Sequence, residues 1–249
     1  MSTDQRFNRT VQLLGRQRFE SLTQARVAVV GIGAVGGFAV EALARAGIGE
    51  LIVVDFDTVQ PTNINRQIGA LESTIGMKKT EVARLRILDI NPHCKITSLD
   101  IFVDENNTAM ILGTKPDIVV DAIDGLGPKV KLLTSVHNAG ITCFSSMGAA
   151  LRNDPRRIEV DDISRTRGCP LARRLRSRLK RSGVTTGITC VYSTEPIPVE
   201  HEPEGAESQS SALMRGRNRA PLGSLPTLTA IFGLILANEV LLNICRQQP

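Results

Sequence analysis

The stretch Arg26-Val-Ala-Val-Val30 runs directly into Gly31-Ile-Gly33-Ala-Val-Gly36-Gly37, and no other segment restricts the fold so tightly. Apolar, β-branched residues followed by glycines at this spacing specify a buried strand that turns sharply into a helix. Gly31 permits the tight turn, Gly33 lets backbone approach a phosphate, and Gly36 lets the helix pack close to the strand. The helix N-terminus then offers free N–H groups and the positive end of its dipole to an anion. A second apolar run, Leu51-Ile-Val-Val54, ends on Asp55, about 20 residues past the last glycine, where an acid binds ribose hydroxyls in such folds. This much fits a dinucleotide as well as it fits ATP.

The surrounding rhythm sets the fold class. Apolar runs at 26–30, 51–54, 96–103, 117–122 and 141–145 alternate with helical patterns at 34–46, 78–90, 104–113 and 127–139. Such alternation predicts an α/β fold, a Rossmann-like and mostly parallel sheet with helices on both faces. Past Gly148 the rhythm breaks into an irregular C-terminal extension. Asn153-Asp-Pro155 suits a turn, 157–164 a strand, 170–181 a basic helix and 188–194 a further strand. The 249 residues suffice for one large domain, with a core over 20–150, basic and mobile segments over 151–222 and a C-terminal helix over 225–246. Residues 195–211, rich in Pro, Glu, Gly and Ser, suit a mobile loop. Leu225 to Cys245 is long and apolar but contains Asn238 and Glu239 and starts beside Pro226. It therefore predicts a core or dimer helix rather than a membrane span. Met1 to Ser21 is polar and charged, unlike a signal peptide, which points to the cytoplasm.

Three residues beyond Asp55 favour ATP over a redox dinucleotide. A pyrophosphate bridge is held mostly by backbone, whereas a triphosphate being cleaved needs point charges and metal. Arg66 and Lys79 can supply the charge, although the adjacent Lys78 competes with Lys79 for the role. The run Asp117-Ile-Val-Val-Asp121-Ala-Ile-Asp124 brings Asp124 to a strand's carboxyl end, the ligand edge of open α/β sheets. Asp124 is a candidate Mg2+ ligand, since that ion takes one or two carboxylates plus phosphate oxygens. Asp121, inside the strand, suits a structural hydrogen bond.

The formal net charge is +5, and eight Lys and Arg with no acid lie between 165 and 181. Arg173, Arg174, Arg176 and Arg178 are candidate RNA contacts, and a solvated helix face over Leu171, Leu175 and Leu179 explains the same pattern. No Trp and one Tyr argue against an RNA reader built on stacking platforms. Five scattered cysteines fit a reducing compartment, and the absence of any Cys-x-x-Cys pair predicts no zinc. Cys190 lies in an apolar run and reads as a small hydrophobe. Cys169 has Arg165, Arg167 and Arg173 around it in sequence, which would favour its thiolate.

Together the glycine turn, Asp55-Phe-Asp57, Asn63-Ile-Asn-Arg66-Gln67, Lys79 and Asp124 resemble the superfamily of ubiquitin-activating enzymes and bacterial sulfur-carrier adenylyltransferases. The resemblance implies an ATP site formed by Gly31, Gly33, Gly36, Asp55, Asn63, Arg66, Gln67, Lys79 and Asp124. Arg6-Phe-Asn-Arg9 resembles that superfamily's N-terminal arginine element, which implies a homodimer with Arg9 reaching the partner's phosphates. Within the superfamily, Asp161-Asp-Ile-Ser164, Pro170-Leu-Ala172, Cys190-Val-Tyr-Ser-Thr-Glu195 and Thr229-Ala-Ile-Phe-Gly233 look most like the tRNA threonylcarbamoyladenosine dehydratases. That likeness implies an ATP-dependent, AMP-forming dehydratase acting on a modified adenosine of the tRNA anticodon loop, with room for a sulfur-relay partner. Two other functions stay open on the residues: a sulfur-carrier adenylyltransferase, and a nucleotide-binding partner without turnover.

Overall fold

A computed structural model describes residues 5–197 and 222–246. The loop expected over 195–211 therefore lies, from residue 198 on, outside the described residues.

Seven strands, β1 (Arg26–Val30), β2 (Glu50–Val54), β3 (Lys95–Leu99), β4 (Ile118–Asp121), β5 (Thr142–Ser146), β6 (Ile158–Asp162) and β7 (Ile188–Ser193), form one sheet in the order β3-β2-β1-β4-β5-β7-β6. Every pairing is parallel except the last, where β6 runs against β7 at the edge. The eight helices of the described residues are α1 (Asn8–Leu14), α2 (Arg16–Gln24), α3 (Gly36–Ala46), α4 (Lys79–Ile90), α5 (Thr108–Gly113), α6 (Leu126–Asn138), α7 (Pro170–Arg181) and α8 (Pro226–Arg246).

Strand side chains alternate in direction, so each central strand feeds two cores. Val27, Val29, Leu51 and Val53 meet Leu22, Leu43, Ile87 and Phe232 from α2, α3, α4 and α8. Ala28, Val30, Ile52 and Val54 meet Ile111, Leu132 and Leu175 from α5, α6 and α7. Strands buried on both faces read as unbroken apolar runs, which is why 26–30 and 51–54 stood out in the sequence.

Three boundaries differ from expectation, each for a local reason. β3 stops at Leu99 rather than running to 103, because Asp100 accepts a hydrogen bond from the Thr80 hydroxyl on α4 and draws the chain aside. α5 starts at Thr108 rather than 104, because the Asp104 carboxylate accepts the N–H groups of Asn106 and Asn107 and holds a turn there. The core also begins before residue 20: Phe7 and Phe19 are buried and stack against each other, with ring centroids 5.5 Å apart.

α8 has the length and composition to cross a membrane. Its Leu228, Phe232, Leu236 and Val240 are instead fully buried in the core, and it packs on α3. A Cβ on Gly233 would lie 2.3 Å from the Val35 carbonyl oxygen, so α8 meets the start of α3 backbone to backbone.

Candidate functional site

The carboxyl ends of β1, β2 and β4, three neighbouring strands, carry the residues singled out above. After β1 the chain turns through Gly31, at φ +91°, a conformation that favours glycine. A Cβ there would sit 2.8 Å from the Ala122 carbonyl oxygen, and one on Gly36 would sit 1.8 Å from the Gly31 oxygen. Gly33 differs: its nearest such neighbour is the Gln67 amide at 3.8 Å, leaving the backbone open to an approaching group. No side chain caps α3 at Val35, so its first turn presents backbone N–H groups.

Asp55 is buried, and both its oxygens are engaged. Oδ2 accepts the Ile32 N–H at 2.7 Å and Oδ1 the Asp57 N–H at 2.9 Å. It thus fastens the glycine turn to the end of β2. Burial holds its carboxyl above the ordinary aspartate range, partly offset by Lys79 and by the two amides.

The two lysines are set apart by a short antiparallel bridge between Thr58 and Lys78, flanked by Val59 N–H to Met77 O at 2.9 Å and Lys79 N–H to Asp57 O at 3.1 Å. Neighbours on an extended chain point opposite ways. Lys78 consequently faces solvent and donates to the Phe56 carbonyl at 3.3 Å. Lys79 turns inward, is 8% exposed and pairs with Asp57 Oδ2 at 2.8 Å. A small cavity of about 30 Å3 separates Lys79 and Val82 from Gln67 and Gly37.

Asn63 closes the turn Pro61–Asn63, accepting the Gln60 N–H at 3.1 Å. Arg66 is half-buried and its Nη1 donates to Thr62 O at 2.8 Å and Asn65 Oδ1 at 2.7 Å. Asp124 is exposed in the turn between β4 and α6. Beneath it Asp121 is fully buried and joined to Lys129 at 2.6 Å, to the Ser145 hydroxyl at 2.7 Å and to the Ile123 N–H at 3.1 Å. Arg9 is exposed on α1, none of whose residues is buried, and it has no hydrogen-bond or ionic partner among the described residues.

The basic stretch is less uniform than its sequence. β6 supplies the acids that the local sequence lacks: Glu159 pairs with Arg167 at 3.0 Å, and Asp161 pairs with Arg165. Arg176 donates to the Thr166 carbonyl at 2.7 Å. Arg173, Arg174 and Arg178 remain exposed, while Ala172, Leu175 and Leu179 are fully buried beneath them, so the solvated-face pattern is also present. An open groove of about 420 Å3 beside α7 is lined by Ser164, Arg173, Arg176, Ser177, Lys180 and Thr185. Cys169 and Cys190 are buried, and burial raises the Cys190 thiol far above its ordinary pKa, as suits a packing residue.

Sequence reasoning quoted Asp57 within a motif without giving it a role, and it passed over Lys129 and Ser145. Asp57 lies two residues from Asp55 and could have been found as the counter-ion a buried lysine requires. Lys129 carries no signal, since nothing in its neighbourhood distinguishes it from a surface lysine.

A doubly covered parallel sheet whose glycine turn, acid and lysine converge at one edge defines the nucleotide-binding α/β class. Within it the chain belongs to the ThiF family, whose model matches residues 7–249. It is 35% identical over 241 residues to the tRNA threonylcarbamoyladenosine dehydratase of Bacillus subtilis, covering 96% of this chain and 94% of the relative. The crystal structure of the Escherichia coli tRNA threonylcarbamoyladenosine dehydratase in complex with ATP superposes with a TM-score of 0.86 at 36% identity, covering 98% of this chain and 95% of that one. The molybdopterin-synthase adenylyltransferase of Salmonella typhimurium is 37% identical, but only over 150 residues, 59% of each chain.

Proposed function

We propose that this protein is an ATP-dependent dehydratase of tRNA, activating the threonyl carboxylate of threonylcarbamoyladenosine and closing it into a ring. One observation carries the chemistry: Gly31–Gly36, the Asp57–Lys79 pair and Asp124 gather at the ends of three adjacent strands. Similarity to tRNA threonylcarbamoyladenosine dehydratases over nearly the whole chain, against 59% to 72% of it for molybdopterin-synthase adenylyltransferases, supports tRNA as the acceptor.

In this scheme the substrate carboxylate attacks the α-phosphorus of ATP, giving an acyl-adenylate and pyrophosphate. The neighbouring carbamoyl group then displaces AMP, and the net change in the nucleoside is loss of water. Hydroxide, a poor leaving group, is replaced by AMP, a good one. Gly31, Gly33 and Gly36 seat the phosphates against the α3 N-terminus. Asp55 fastens that turn and holds the ribose, and Asn63 keeps the Arg66 loop in place. Lys79, held inward by Asp57, and Arg66 stabilise charge as it develops on phosphate. Asp124, an exposed carboxylate at the β4 end, would help hold Mg2+, which would supply positive charge to the phosphates.

Arg173, Arg174 and Arg178 hold the tRNA backbone. The enzyme works in the cytoplasm and as a homodimer; α1 supports the dimer, because it carries an exposed Arg9 without a partner among the described residues and an 84% exposed Leu13. Incubation with ATP and tRNA bearing threonylcarbamoyladenosine should yield AMP and a nucleoside lighter by one water, read by mass spectrometry of digested tRNA. Unchanged nucleoside, with AMP formed instead on a small carrier protein, would transfer the chain to the sulfur-carrier enzymes.

A further inference from the structure

The buried pair Asp121–Lys129 is an expensive feature for a core to contain. Both side chains are wholly inaccessible, and desolvating two charges costs several kcal/mol per ion before their attraction offsets it. The elements around it are otherwise apolar, with Leu132, Leu133 and Val136 on α6 and Val119 and Val120 on β4. What the pair touches suggests its use. One Asp121 oxygen takes Lys129 and the Ser145 hydroxyl; the other takes the Ile123 N–H, the first turn of the loop that carries Asp124.

That loop also abuts the phosphate turn. Ala122 donates its N–H to the Val30 carbonyl at 2.8 Å. The Ala122 oxygen lies 2.8 Å from where a Gly31 Cβ would be, and the Ala122 methyl 3.2 Å from where a Gly36 Cβ would be. A shift of the 122–124 peptide therefore moves Asp124 and displaces the wall against which the glycine turn rests.

We infer that Asp121, Lys129 and Ser145 are positioning residues of the ATP site. They fix one peptide segment, and through it both Asp124 and the Gly31–Gly36 turn, in a single mutual geometry. This inference rests on the ATP-site assignment above. A short, charge-assisted network suits the task because it has one satisfied arrangement, whereas an apolar contact tolerates sliding.

The test uses the full chain, with Ser145→Ala and the uncharged pair Asp121→Asn/Lys129→Gln. Ser145→Ala removes one donor and leaves the ion pair; its AMP-forming kcat should fall about fivefold, while the double variant should lose tenfold or more. The Kd for ATP should move much less than kcat in both. In hydrogen exchange read by mass spectrometry, the amides of 31–37 should lose protection together with those of 122–126. Folded variants with parental kcat, or loosened amides confined to 122–126, would overturn the inference. So would a loss explained wholly by a smaller active fraction at unchanged turnover per site. If the double variant does not fold, Ser145→Ala decides on the same readouts. If the parent itself forms no AMP, the function above fails, and the exchange experiment still tests the positioning role.

Discussion

Asp55 has one carboxylate and more than one duty. Its two oxygens already accept the Ile32 and Asp57 amides, and a ribose bound as proposed would have to share them. Because burial raises its folded pKa above the 3.8 of a free aspartate, the folded state holds the proton more tightly than the unfolded chain. Its contribution to stability is thus full below the unfolded pKa and is lost as pH rises through the raised folded value. Melting temperatures of the parent and Asp55→Asn should show this: their difference favours the parent most in acid and declines with rising pH across that window. Lys79 carries the second residue-scale expectation. Lys79→Ala should cut AMP formation about a hundredfold or more, the cost of removing one transition-state donor, with the fold intact. Lys78→Ala, on the opposite side of the bridge, should turn over at nearly the parental rate. Equal losses in both variants would place the functional charge elsewhere.

Among the elements, α7 has separated its charges into used and unused. Arg165, Arg167 and Arg176, at and just before the helix, are bound to Asp161, Glu159 and Thr166, whereas Arg173, Arg174 and Arg178 face solvent. Charge reversal of the latter three to Glu should weaken tRNA binding and flatten its salt dependence by about two to three units of log–log slope. ATP affinity should be unchanged; a parental salt slope would make the face merely solvated. What the sequence disclosed follows the same division between local and distant. The strands and the glycine turn were legible because their signals are contiguous: apolar runs, fixed glycine spacing, an acid at a strand end. The opposite directions of Lys78 and Lys79 were not, because they depend on a bridge from Lys78 to Thr58, twenty positions away; only the family resemblance had pointed to Lys79. The neutralisation of Arg165 and Arg167 was missed for another reason: Asp161 and Glu159 lie only four and eight residues upstream, just outside the acid-free stretch. Lys129 looks like any exposed lysine until the fold encloses it. The inward burial of Phe7 and Phe19 was hidden by the charged residues around them.

At the scale of the molecule, a site at a sheet edge leaves α1 outside it, with Arg9 exposed. If that arginine serves the other subunit, Arg9→Ala and Lys79→Ala chains, each inactive alone, should regain activity as heterodimers, because one composite site then contains both groups. Verified heterodimers without activity would confine Arg9 to its own chain. The seat of α8 on α3 has a further consequence, one of timing. Gly233 lies against Val35, the residue immediately before the helix proposed to face the phosphates, and Ala46 and Pro226 are separated by most of the chain. At roughly 5–20 residues per second of synthesis, the glycine turn exists for on the order of ten seconds before the wall behind its helix has been made. For that interval the first half must hold its glycine turn and α3 without α8 behind them.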